Sequence, residues 1–127
     1  MNVEVKCPYD TEIKKLYDWK RTATKVMELI NRYDFKENCY VSSFHDDFLQ
    51  EIILLSEKNS YPVRTVLIGS EKKDPYSIEF LMSMKHVGYN SYYSNVTQEL
   101  VDAMSSADKK VGVWFHKNIL NEGEKEF

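Results

Sequence analysis

The sequence predicts an α/β protein built on a parallel sheet of about five strands, and three observations carry that expectation. Short runs rich in β-branched and aromatic residues, bounded by Pro, Gly or polar turn residues, recur along the chain. Between them lie longer segments with apolar residues at three- and four-residue intervals, the period of a helix buried on one face. The two patterns alternate from end to end, which calls for crossover connections and parallel pairing. No repeat, linker or low-complexity stretch divides the chain, and 127 residues fit one domain, 1–127.

Residues 2–6 read as the first strand, with Val3 and Val5 on one face and Asn2, Glu4 and Lys6 on the other. The turn Cys7-Pro8-Tyr9-Asp10 ends it, because proline cannot continue a central strand. A helix is expected over 15–34, where Leu16, Trp19, Ala23, Val26, Ile30 and Tyr33 form one face. Residues 39–44 are a second strand, and a helix over 46–58 uses Phe48, Leu49, Ile52, Ile53 and Leu55. A third strand at 63–68 leads into a polar loop from Gly69 to Pro75. A weaker helix at 76–86 precedes a short strand at 88–93. Thr97 is suited to cap the next helix, with Glu99 in its first turn and Leu100, Met104 and Ala107 buried. Residues 110–115 are the fifth strand, and 118–127 read as the start of another helix. Periodicity alone leaves an open sheet and a barrel segment both standing.

Composition excludes several classes. A net charge of −3 with no basic block argues against a nucleic-acid partner. No apolar run is long enough for a transmembrane segment, and no basic amphipathic helix suits a membrane surface. The start of the chain carries no secretory signal, so a cytoplasmic product is expected and the Asn95-Val96-Thr97 sequon is taken as chance. Cys7 follows one strand and Cys39 opens another. In a parallel pair they stand at opposite ends, too far apart for a disulfide, and both read as reduced thiols.

Four segments resemble the glycerophosphodiester phosphodiesterase family, in the family's order and spacing. They are Asn2-Val3-Glu4-Val5-Lys6, Val41-Ser42-Ser43-Phe44, the helix start Val96-Thr97-Gln98-Glu99-Leu100-Val101, and Val111-Gly112-Val113-Trp114. The resemblance covers nearly the whole chain and implies the C-terminal portion of such a domain. The fold it implies is a partial (β/α)8 barrel. In the family the catalytic histidines and most metal ligands lie in N-terminal segments with His-Arg-Gly, Glu-Asn-Thr, Glu-x-Asp and His-Asp signatures; the first three do not occur in this sequence, and its His-Asp dipeptide, His45-Asp46, follows the Ser-Ser-Phe strand instead. The family's closing Gly-Val-Asp and Thr-Asp are also missing, and Phe115-His116-Lys117 replaces its usual small residue, Val and Asn.

The resemblance assigns Glu4 to a divalent cation, Mg²⁺ or Ca²⁺, held weakly or not at all by this chain. It assigns Lys6 to the phosphodiester as a catalytic and substrate-binding group, and Trp114 to a pocket wall against glycerol. Each assignment has a plainer counterpart. Glu4 and Lys6 share a strand face and can pair with each other; Trp114 can be core. Phe44 and Ser42 share an inward face, where packing is the simpler role. His45 sits at a helix start beside Asp46 and Asp47, suited to capping or solvent. His86 falls at a helix end, where the dipole favours an imidazolium. His116 lies near the barrel mouth and is the one histidine worth testing. A complete member of the family hydrolyses a glycerophosphodiester to glycerol 3-phosphate and an alcohol, in lipid metabolism. Lacking those histidines, this chain alone is expected to be inactive. The rival reading is a non-catalytic barrel remnant serving as a structural or interaction subunit. Either way, five strands cannot close an eight-stranded barrel. A homo-oligomer, or pairing with a larger partner, is therefore expected.

Overall fold

Residues 1–7, 11–71 and 76–116 are described by the structure, a computed structural model. They form, in order, β1 (Asn2–Glu4), α1 (Thr11–Leu16), α2 (Trp19–Arg32), β2 (Tyr40–Ser43), α3 (Asp46–Lys58), β3 (Arg64–Ile68), α4 (Ile78–Ser83), β4 (Gly88–Tyr92), α5 (Gln98–Ser106) and β5 (Lys110–Trp114). The expected segment at 118–127 lies outside the described residues.

All pairings are parallel, and the strand order is β1-β2-β3-β4-β5. Every crossover therefore advances the sheet in one direction. Right-handed crossovers that all advance the same way place their helices on one face. No strand order reverses, so the sheet has no switch point of the doubly wound kind. The architecture is a sector of a barrel: a curved parallel sheet with helices outside and an open concave face. The curvature is visible in one contact. β3 and β4 separate β2 from β5, about 14 Å along a flat sheet. Across the concave face, however, the rings of Phe44 and Trp114 meet at 5.5 Å.

The helix-facing side is filled by apolar residues. Ala23, Met27 and Ile30 of α2, Phe48, Leu49 and Ile52 of α3, and Val41, Leu67 and Tyr89 of the strands form one buried cluster. Val3 and Val5 pack against it, which turns Glu4 to the opposite face.

The single helix expected over 15–34 is two helices. Asp18 interrupts it because its Oδ1 accepts a hydrogen bond from the Arg21 amide at 3.0 Å and starts α2 afresh. Leu16, expected on the apolar face, ends the preceding helix and is 87% exposed. Tyr33 is the C-cap and is exposed as well. Thr97 does cap α5, accepting from the Leu100 amide at 3.1 Å.

Helices α2, α3 and α5 end in the same way. Asp34, Ser60 and Asp108 have positive φ, and the next amide (Phe35, Tyr61, Lys109) bonds back to Ile30, Ser56 and Met104. This is the Schellman closure, built without glycine.

His86 departs from expectation. α4 stops at Ser83, so His86 lies past the helix end and is fully buried, beyond the influence assumed for a terminal dipole. Its Nε2–H donates to Asp46 Oδ1 at 2.7 Å, and Nδ1 is 2.8 Å from the Thr65 hydroxyl. Burial lowers its pKa; the Asp46 hydrogen bond and charge oppose this, and Lys109 adds to it. Lys109 Nζ donates to the carbonyls of His86, at 2.7 Å, and Met84. His45 makes no capping bond through its side chain; its ring lies edge-on to Trp19 at 5.8 Å. Neither Cys7 nor Cys39 forms a disulfide. Among the described residues, no helix is long and apolar enough to cross a membrane.

Candidate functional site

Period-two alternation sends one residue set from each strand to the concave face, and the C-terminal strand ends gather there. Asn2, Glu4 and Lys6 come from the β1 segment, Phe44 follows β2, Ile68 ends β3, Asn90 belongs to β4, and Trp114 and His116 come from the end of β5. Together they line a cleft of about 390 Å³. That volume lies at the lower end of small-molecule sites, about 300–1,000 Å³. The cleft thus brings together Glu4, Lys6 and Trp114, and adds His116.

Local hydrogen bonds fix its walls. Val5 N–H donates to the Ser42 carbonyl at 2.9 Å, and Ser43 Oγ donates to the Val5 carbonyl at 2.7 Å. These bonds hold the segment carrying Glu4 and Lys6 against β2. Ser42 Oγ donates to Asn2 Oδ1 at 2.9 Å, so this buried serine has a structural partner within the sheet. On the far wall Trp114 Nε1–H donates to the Gly69 carbonyl at 3.1 Å. A Cβ at Gly112 would lie 2.1 Å from Asn90 Oδ1, so glycine there makes room for Asn90.

The charges sit at two ends. Lys6 Nζ is 3.8 Å from Glu4 Oε1, with side chains 78% and 37% exposed. His116 Nε2–H donates to Glu71 Oε2 at 2.6 Å, and both are exposed. Tyr92, beside Trp114 at 4.7 Å, has its hydroxyl pKa raised by burial, by the negative charge of Glu71 and by Tyr93.

A divalent cation does not fit what the chain offers. Mg²⁺ and Ca²⁺ take six or more oxygens, commonly from several carboxylates. Among the described residues Glu4 is the one carboxylate lining the cleft, and it faces the Lys6 ammonium. Among the described residues no three His, Cys, Asp or Glu side chains gather as a metal site.

Asn2 was legible beforehand as a neighbour of Glu4 on one strand face. Asn90 and Glu71 were not singled out. The signal for Asn90 was its place on the face opposite Tyr89; Glu71, in a polar loop, carried none.

Two solved structures share this architecture. One is a protein from Galdieria sulphuraria assigned as a glycerophosphodiester phosphodiesterase: TM-score 0.69, 17% identity, covering 98% of this chain and 49% of that one. The other, from Silicibacter pomeroyi DSS-3, is assigned as a glycerophosphoryl diester phosphodiesterase: TM-score 0.65, 16% identity, 87% of this chain and 38% of that one. The chain has the fold of part of these phosphodiesterase barrels. It spans less than half the length of either. No family model and no curated protein matches the sequence.

Proposed function

We propose that this chain forms one wall of a phosphodiester-hydrolysing site, acting on a glycerophosphodiester once the barrel is complete. The observation that supports this most is the convergence of Glu4, Lys6 and Trp114 on one cleft at the C-terminal strand ends, where barrel enzymes place their chemistry. In hydrolysis the oxygen of water bonds to phosphorus and the bond from phosphorus to the alcohol oxygen breaks. The alcohol leaves with a proton, and glycerol 3-phosphate remains. Lys6 offsets charge growing on the phosphoryl oxygens, and Trp114 walls the organic part. The groups that act as general acid and base come from outside the described residues. The missing strands come from a larger partner, a second copy, or more of the same polypeptide.

Two measurements test this. Titrating sn-glycerol 3-phosphate into the chain should shift amide resonances around Val5 and Lys6, and Lys6→Ala should abolish the shift. The chain alone should not turn over glycerophosphocholine with Mg²⁺ or Ca²⁺, because acid–base groups worth about 10²–10⁴-fold are not supplied. Absence of any shift at Lys6 would sink the reading; turnover lost in Glu4→Ala would show the chain to be self-sufficient.

A second reading, a non-catalytic interaction subunit, draws on Glu4 being paired with Lys6. Binding of a partner protein unchanged by Glu4→Ala and Lys6→Ala would favour it.

A further inference from the structure

The break at Asp18 leaves a short helix outside the core. α1 spans six residues, about 9 Å at 1.5 Å per residue. Ile13 and Leu16 lie one turn apart on it and share a side. Their exposures are 55% and 87%, and among the described residues Leu16 is the most exposed large apolar side chain. Apolar residues exposed singly need no explanation; two side by side do.

Basic side chains flank this ridge. Lys15, Lys20 and Arg21 are exposed, and Lys20 Nζ stands 5.5 Å from the centroid of the Trp19 ring. The neighbouring acids are engaged: Glu12 pairs with Lys15 at 3.0 Å, and Asp18 accepts from the Arg21 amide. Both members of the Glu12–Lys15 pair are exposed, so it holds the lysine only weakly. The ridge also has a definite place. α1 follows β1, and Trp19, half-buried at the start of α2, meets the His45 ring just after β2. It therefore stands on the rim around the C-terminal strand ends.

Size and charge decide what can cover such a ridge. A stable protein interface needs about 800 Å² on each side, and a six-residue helix offers a small part of that. A nucleic acid, which stacks on aromatic rings, gains nothing from Ile13 and Leu16. A bilayer surface takes apolar side chains into its acyl boundary, rings such as Trp19 at headgroup level, and basic groups against anionic headgroups.

We propose that α1 and the start of α2 seat the strand-end rim on an anionic lipid surface. Ile13 and Leu16 enter the acyl boundary, while Lys15, Lys20 and Arg21 lie against the headgroups. This does not rest on what the cleft binds.

Cosedimentation of the chain with phosphatidylcholine vesicles, with and without phosphatidylserine, tests it. Phosphatidylserine should improve retention at least about tenfold, and added salt should release the chain. Leu16→Ser should weaken retention at least about tenfold. Lys20→Gln should weaken it about fivefold, the worth of one basic residue near such a surface. Neither should move the urea midpoint appreciably, because both side chains are exposed. Leu54→Ser, at a leucine also exposed but on α3, should leave retention unchanged. Equal retention by the two vesicle types, no retention, or an equal loss in Leu54→Ser would overturn the proposal. So would binding of soluble polyglutamate, lost in Leu16→Ser, without retention on vesicles; the ridge would then be a protein contact.

Discussion

The two faces of the sheet are made by the same strands and are chemically opposite. On the helix-facing side Val41, Leu67 and Tyr89 meet Phe48, Leu49 and Ile52, all at 0–1% exposure. On the concave side the same strands present Glu4, Phe44, Asn90 and Trp114 around a cleft. The first face is closed by elements within the chain. The second faces the space that a full barrel would enclose. Stability should therefore reside on one face and ligand recognition on the other, so substitutions on the two faces should separate cleanly.

The largest effect belongs to the helix-facing side. Ile52 is fully buried between α3 and the sheet. Truncating it loses transfer free energy and leaves a cavity, together about 3 kcal/mol. Urea denaturation of Ile52→Ala should show this as a lower midpoint at unchanged slope. A cost under about 1 kcal/mol would mean the helix layer is loosely packed and the contrast between the faces is overstated.

How much of this was legible beforehand follows from which residues carried a periodic signal. The five strands and their alternation were legible because Val3 and Val5, or Val111 and Val113, alternate with polar or small residues. The helix over Asp46–Lys58 was read to the residue, since its apolar face is long and Asp46 and Asp47 mark its start. The break at Asp18 was hidden because Leu16 and Trp19 continue the helical spacing across it. Three left-handed closures were hidden because Asp34, Ser60 and Asp108 stand where glycine would have marked them. The site was legible only through a strand-face argument joined to a resemblance. Glu71 and His116 join through loop and strand ends whose 45-residue separation no period reports. His86 was misread because its partners, Asp46 and Thr65, lie 40 and 21 residues away in sequence.

That buried network gives the middle-sized effect and a pH signature. His86 has a folded-state pKa below its ordinary value of 6.5, chiefly from burial. Between the two values the unfolded chain binds a proton that the folded chain refuses. Stability from this group is therefore fully present above about pH 6.5 and is lost as pH falls, by at most about 1.4 kcal/mol per pH unit. Denaturation midpoints at pH 7.5 and 5.5 should differ in the natural chain and differ less in His86→Gln. An equal pH slope in the two would show that His86 is not the group responsible.

The smallest effect belongs to the concave face, and its smallness is the point. Lys6 and Glu4 pair at 3.8 Å in solvent, with the lysine side chain 78% exposed. Exposed pairs of this kind contribute about 0–1 kcal/mol, because water screens the charges and two long side chains must be held in place. Removing Lys6 leaves no buried charge behind, since Glu4 remains reachable by water. The backbone bonds that hold this segment run from Val5 to Ser42 and Ser43 and do not involve the lysine side chain. Lys6→Ala should therefore cost no more than about 0.5 kcal/mol in urea denaturation, even as phosphate recognition at the cleft disappears. A loss comparable to that of Ile52→Ala would mean that Lys6 supports the fold, and the division between a closed structural face and an open recognition face would fail at that residue.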